Sequence, residues 1–206
     1  MNEKTQDNRD DPTPPGATDR RVRADAQRNM DALLQAALDV FSELGVDAPV
    51  RAIAEKAGVG IGTVYRHFPQ RSDLIAAVFR REIDACADAA QALATGHGPF
   101  EALANWMQRY ASFVATKRGM GPALHAGNSA MEPLRTYFFQ QVRPALQDLL
   151  ASAVAAGEVR TDVDADDILT AVASLCMSTY DDRPDYARRM VALLVDGLRQ
   201  GPKNGS

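Results

Sequence analysis

VRAIAEKAGVGIGTVYRHFPQ, residues 50–70, reads as two short helices around a tight turn. Val50, Ile53, Ala54 and Ala57 are spaced three, one and three apart, which places them on one face of a first helix. Gly58 follows where a helix stops and the backbone needs a left-handed angle that glycine reaches at little cost. Val59 is expected to point back into the angle between the helices. A second helix is expected from Gly60 to His67, with Val64 and Phe68 as its buried side. Pro69 ends it, because the residue before a proline is pushed out of helical geometry. Two helices joined by a short turn containing Gly make a helix-turn-helix, whose second helix can lie in the major groove of DNA.

Upstream, a helix is expected over Asp25–Leu44. Met30, Leu33, Leu34, Ala37, Leu38, Phe41 and Leu44 form its apolar stripe, and Gly45 closes it. Pro49 suits the first turn of the next helix, with Asp47 as the expected cap, since Ala48 is a poor one. Downstream, Ser72 is expected to cap a fourth helix with Asp73 in its first turn. Leu74, Ile75, Val78, Phe79 and Ile83 give its buried side, and the alanine-rich stretch 85–94 prolongs it. At about twenty residues it would span roughly 30 Å and join a head to a body. Gly96-His97-Gly98-Pro99 breaks the pattern. Beyond it only helices are expected. One covers Phe100–Thr116; a long segment from Glu132 to Ala156 is kinked or split by Pro144 and ended by Gly157. A further helix is capped by Asp164 or Asp166, and a last one runs to Gln200. Residues 117–128 are Gly-rich and leave room for a short helix. No segment alternates with period two.

The run from Ile53 to Phe68, with Arg71 and Leu74, resembles the DNA-binding segment of the TetR (tetracycline-repressor-like) family of transcriptional regulators. The matching pieces are Ile53-Ala54, Ala57-Gly58-Val59, Gly62-Thr63, Tyr65, His67-Phe68 and the basic Arg71 opening the next helix. The match covers residues 28–80; the rest of the chain fits in length and helical character. The resemblance implies a helical body that binds a small-molecule effector and dimerises through its last two helices. Gly60 departs from the pattern, since many relatives place a capping Ser or similar residue there.

Composition agrees with a globular chain: 46% of residues are apolar, and no run approaches the eighteen apolar residues of a membrane span. The N-terminus carries Glu3, Asp7, Asp10 and Asp11 and lacks the apolar core of a signal peptide. Cys86 and Cys176 are expected as buried thiols of a cytoplasmic protein. The net charge of −4 averages unlike parts: residues 20–81 hold ten basic and seven acidic side chains, residues 82–206 eleven and fifteen. The basic excess coincides with the helix-turn-helix, as in a DNA-binding head on an acidic body. Arg20, Arg21, Arg23 and Arg28 have two readings: a solvated charge run, or an arm reaching phosphates or the minor groove.

The chain is therefore read as all-α. Residues 1–22 are expected to form a disordered arm, residues 23–71 a three-helix DNA-binding head, and residues 72–206 a helical ligand-binding and dimerisation body. The recognition helix presents its N-terminal end to base edges, so base choice is assigned to Arg51, Gly60, Ile61, Thr63 and Arg66, with Gly62 permitting close approach. The resemblance gives Tyr65, His67 and Arg71 phosphate contacts. Against these stand plainer readings: Tyr65 as half-buried core, His67 as a solvated histidine, and Arg51 or Arg66 paired with Glu55. Trp106, Met107, Tyr110, His125, Tyr137, Phe138, Cys176 and Tyr180 are candidates for an effector pocket; at helical spacing such residues are more often a plain core. No catalytic residue, metal site or cofactor is expected: the three histidines lie far apart, and Asp164, Asp166 and Asp167 lack the glycine and distal glutamate of a calcium loop. The expected partners are double-stranded DNA, an unidentified small-molecule effector and a second copy of the chain, and no membrane. The alternative is a helical binding or adaptor protein whose helix-turn-helix is structural only.

Overall fold

A computed structural model describes residues 17–116, 132–177 and 185–199. Among them lie eight helices: α1 (Ala17–Leu44), α2 (Val50–Ala57), α3 (Ile61–His67), α4 (Arg71–Gly96), α5 (Pro99–Thr116), α6 (Glu132–Ala155), α7 (Ala165–Met177) and α8 (Tyr186–Leu198). The described residues contain no strand; one isolated antiparallel bridge pairs Val159 with Arg199. The expected all-α architecture is present.

The head is built on the α1 stripe. Leu33, Leu34, Ala37 and Phe41 are buried with Ile53 and Ala54 of α2, Val64 of α3 and Leu74, Ile75, Val78 and Phe79 of α4. Two details differ from expectation. Leu44, the last residue of α1, is 62% exposed, while Val40 is buried. The chain turns away at Gly45 (φ 82°) and brings Val46 and Ala48 into the core in its place. The helix also begins at Ala17, so residues 17–22 are helical rather than a disordered arm. No proline or glycine occurs between Ala17 and Leu44 to stop it. Residues 1–16 lie outside the described residues.

Caps shift the expected starts by one or two residues. Pro49 is the N-cap of α2 and makes no side-chain cap bond, so neither the first-turn place for Pro49 nor the capping role for Asp47 holds. α4 starts at Arg71, not after Ser72: the Asp73 carboxylate accepts the Gln70 N–H at 3.0 Å, which satisfies the helix start from inside. At 26 residues α4 is longer than expected, about 39 Å at 1.5 Å per residue. Its first half supplies the head core and its second half, through Ile83, Cys86 and Ala90, the body core.

In the body, α4 packs on α5 and α6, and α5 packs on α6, α7 and α8. α6 runs unbroken through Pro144, which neither splits nor ends it. Pro144 and Gln140, whose carbonyl loses its donor, both lie on the exposed side, where water can replace the missing bond. Gly157 (φ 72°) ends the segment, with Glu158 N–H donating to Ala153 O at 3.1 Å. Asp164 caps α7 by accepting the Asp166 N–H at 2.7 Å. Cys86 and Cys176 are both buried and unbridged.

Candidate nucleic-acid interface

Backbone hydrogen bonds fix the angle between α2 and α3. Gly58 sits in the left-handed region (φ 68°, ψ 26°). Its N–H donates to Glu55 O at 3.2 Å and the Val59 N–H to Ala54 O at 3.0 Å, the paired bonds of a Schellman turn. Val59 packs, partly buried, against the core as expected. Gly60 then caps α3 in extended geometry (φ −69°, ψ 143°) and has no side chain to offer. Lys56 ties the α2 end to α1, its ammonium 2.9 Å from Glu43 and 3.8 Å from Asp39. The Glu43 hydrogen bond is the main cause that raises its pKa, so the charge there is held.

Seated by Val64 and, partly, Phe68, α3 turns its other residues outward. Gly60, Ile61, Gly62, Tyr65, Arg66 and His67 are exposed and Thr63 is half-buried. Ile61 is 45% and Tyr65 50% exposed, so Tyr65 is not a core residue. A Cβ built on Gly60 or Gly62 meets nothing within 4 Å, so the approach to the start of α3 is open. Ile61 and Tyr65 share a groove of about 530 Å³ with Pro49, Arg51, Gln70 and Arg71. The groove thus joins the starts of α2 and α4 to the outer face of α3.

Two of the candidate DNA-contacting arginines, Arg51 and Arg71, have partners within the protein. The Arg51 Nε is 2.9 Å from Glu55 Oε1, the plain pairing foreseen for it. With side chains 81% and 67% exposed, that pair contributes at most a few tenths of a kcal/mol and competes poorly with a phosphate. Arg71 is different. Its guanidinium donates to the carbonyls of Val46, Asp47 and Ala48, the turn between α1 and α2. It braces the head, and a phosphate has to share it with those carbonyls. Gln70 and Pro49, both on the groove, were not singled out from sequence. Gln70 carried a signal, a polar amide next to the basic residue that opens α4, whereas Pro49 read only as a helix start.

The effector candidates fall into separate groups. Trp106, Met107 and Tyr110 are buried on α5. Tyr110 stacks between Trp106 (5.6 Å), Phe113 (6.2 Å) and Phe138 (6.1 Å). Their polar tips are taken up by backbone: Trp106 Nε1 donates to Cys86 O at 2.9 Å, the Tyr110 hydroxyl to Leu169 O at 3.4 Å, and Cys176 Sγ to Ala111 O at 3.7 Å. Burial, chiefly, pushes the Tyr110 phenol far above its ordinary pKa, so it stays a neutral donor. Tyr137 stands apart. It is half-buried, its hydroxyl donates to Asp84 Oδ1 of α4 at 2.5 Å, and Arg80 lies over its ring at 5.7 Å. His125 and Tyr180 lie outside the described residues.

Known proteins share the sequence and fold of this chain. Residues 33–78 match the family described as bacterial regulatory proteins of the tetR family, and residues 98–200 match the C-terminal domain of SbtR-like transcriptional regulators. The chain is similar to the crystal structure of a TetR transcriptional regulator of Streptomyces coelicolor, with 39% identity, 82% of this chain and 97% of that one covered, and a TM-score of 0.71. It is also similar to a TetR regulatory protein of Mycobacterium vanbaalenii, at 34% identity over 87% and 99% of the two chains, with a TM-score of 0.67. An HTH-type transcriptional regulator of Staphylococcus aureus (strain USA300) is 27% identical over 133 residues, 64% of this chain and 72% of that one.

Proposed function

Because the chain belongs to the TetR family of transcriptional regulators and carries its helix-turn-helix DNA-binding domain, we propose that it binds a near-palindromic operator as a homodimer and represses transcription until an effector enters the body. The observation that carries this reading is the outer face of α3. Ile61, Tyr65, Arg66 and His67 stand exposed on a helix whose opposite side is locked into the core by Val64. Tyr65 and His67 supply phosphate contacts and Arg66 a base or phosphate contact. Arg51 joins them by releasing Glu55, and Arg71 contributes while it holds the α1–α2 turn. Phosphate contacts set register; base contacts choose the sequence.

The homodimer reading is supported by α7 and α8. Leu193 is 63% and Met177 42% exposed, and Leu194 and Met190 are only partly covered. Pairing these helices with those of a second copy covers them in a four-helix interface. Each dimer then presents two α3 helices to successive major grooves, about 34 Å apart. Effector response is assigned to the aromatic stack of α5 and α6 and the face of α7 packed on it, with Trp106, Met107, Tyr110, Phe138 and Cys176 as its wall. An effector must prefer one conformer over the other, since equal binding to both shifts nothing.

The test is a titration of the full-length protein against DNA from upstream of its own gene and against a scrambled duplex, at two salt concentrations. Tighter binding to the upstream DNA that weakens with salt is expected. Tyr65→Phe should weaken binding to every duplex alike while leaving the salt dependence, which the cationic contacts set, nearly unchanged. Equal, salt-independent binding to both duplexes, repeated with a random-sequence library, overturns the reading and leaves a helical binding protein whose helix-turn-helix is structural.

A further inference from the structure

The seven residues of α3, IGTVYRH, hold a restricted set of side-chain chemistries. None is an amide, which pairs bidentately with adenine, and none is a carboxylate, which accepts from cytosine. With Tyr65 and His67 assigned to phosphate and Thr63 half-buried, the exposed polar side chain left for a base edge is Arg66, suited to guanine. What the first turn of α3 does present is a hydrocarbon. Ile61 is 45% exposed at the first helical position, between Gly60 and Gly62, around which a Cβ would meet nothing within 4 Å. Neither flanking residue adds a side chain beside Ile61, which stands open in the groove it shares with Pro49, Arg51 and Tyr65. The other branched apolar residues beside it, Val59 and Val64, are packed into the core, and the hydroxyl-bearing Thr63 is half-buried.

On these grounds, and resting on the DNA-binding reading above, we propose that Ile61 reads the 5-methyl group of a thymine in each operator half-site. Thymine is the base that shows a hydrophobic group in the major groove, and burying it against an exposed isoleucine removes apolar surface from water on both sides. An A·T pair at that position is thus recognised from its thymine, with no contact to the adenine amine. Gly60 and Gly62 let the backbone come close enough for the short Ile61 side chain to reach. Arg66, near the other end of the same short helix, takes a separate base or phosphate.

The experiment is selection of bound duplexes from a random library with the full-length protein, followed by base replacement in the selected site. Deoxyuridine in place of the contacted thymine, which deletes the methyl alone, should weaken binding about four-fold for one half-site and about sixteen-fold for both. Cytosine at that position should weaken it further, and 5-methylcytosine should recover part of the loss. Ile61→Ala should no longer distinguish thymine from deoxyuridine, while Ile61→Val keeps part of the distinction; the exposed position leaves the fold of both variants intact, checked by melting. Sequence-selective binding in which no thymine is sensitive to deoxyuridine, or a sensitivity that survives in Ile61→Ala, overturns the assignment but not the regulator. A library from which no sequence is enriched overturns both.

Discussion

Arg71 shows how one side chain can serve two ends. From the first residue of α4 it reaches back to three carbonyls, Val46, Asp47 and Ala48, that the α1–α2 turn leaves without helical partners. A part-buried carbonyl stripped of its donor costs about 1–3 kcal/mol. Arg71→Ala is therefore expected to lower the melting temperature of the whole protein as well as its DNA affinity, whereas Tyr65→Phe lowers affinity alone; thermal melts beside binding titrations check the contrast. Sequence marked Arg71 as basic and well placed, yet not these partners. A bond to the backbone of a turn 23 or 25 residues away leaves no pattern in side-chain types. Gly58 was legible for the opposite reason, because a left-handed residue after an apolar face nearly names itself. The same limit hid the α4 start: Ser72 looks like a cap, but Asp73 makes its bond to Gln70 N–H.

Among the elements, α4 bears an electrostatic compromise at Glu82. Glu82 lies half-buried on it, facing Arg109 of α5 and Asp39 of α1, beside Arg81. Loss of water is the largest effect and raises its pKa; Asp39 adds to the rise, while Arg81 and Arg109 oppose it. With the folded value above the ordinary one, the native state holds the proton more tightly than the unfolded chain. The stability this contributes is fully present below the ordinary glutamate value and is lost as pH rises through the raised one. Glu82→Gln should then melt higher than the parent at neutral pH, and the gap should close as pH falls through the carboxylate range. Melts of both proteins across that range give the answer; a gap independent of pH would refute it. Helix periodicity made the elements themselves readable, since α1, α4 and α5 carry long apolar stripes. It could not foresee that α6 continues through Pro144, because that depends on which side of the finished helix faces water.

At the scale of the whole molecule, the expected dimer puts a testable demand on α8. Leu193→Glu sets a charge where a second copy would have to pack, and at 63% exposure it should leave the monomer folded. Light scattering should then report a single chain, and operator affinity should fall sharply, because each head alone reads half a site. A dimer that persists would move the interface elsewhere. The aromatic body residues were readable as a cluster, and Trp106, Tyr110 and Phe138 are brought together. Tyr137 was not separable from them by spacing, although its hydroxyl goes to Asp84 on another helix.

One continuous core runs from Leu33 in the head to Leu198 at the end of α8, with the two halves of α4 threaded through it. Such a core implies that the head has no private melting transition: opening it exposes the same helix that the body needs. Any compound that tightens the α5–α6–α7 stack should therefore slow amide hydrogen exchange at Ile53, Ala54 and Val64, which it never touches. The reading helix would thus feel an effector as a change in how often it unfolds, even where its mean position stays the same.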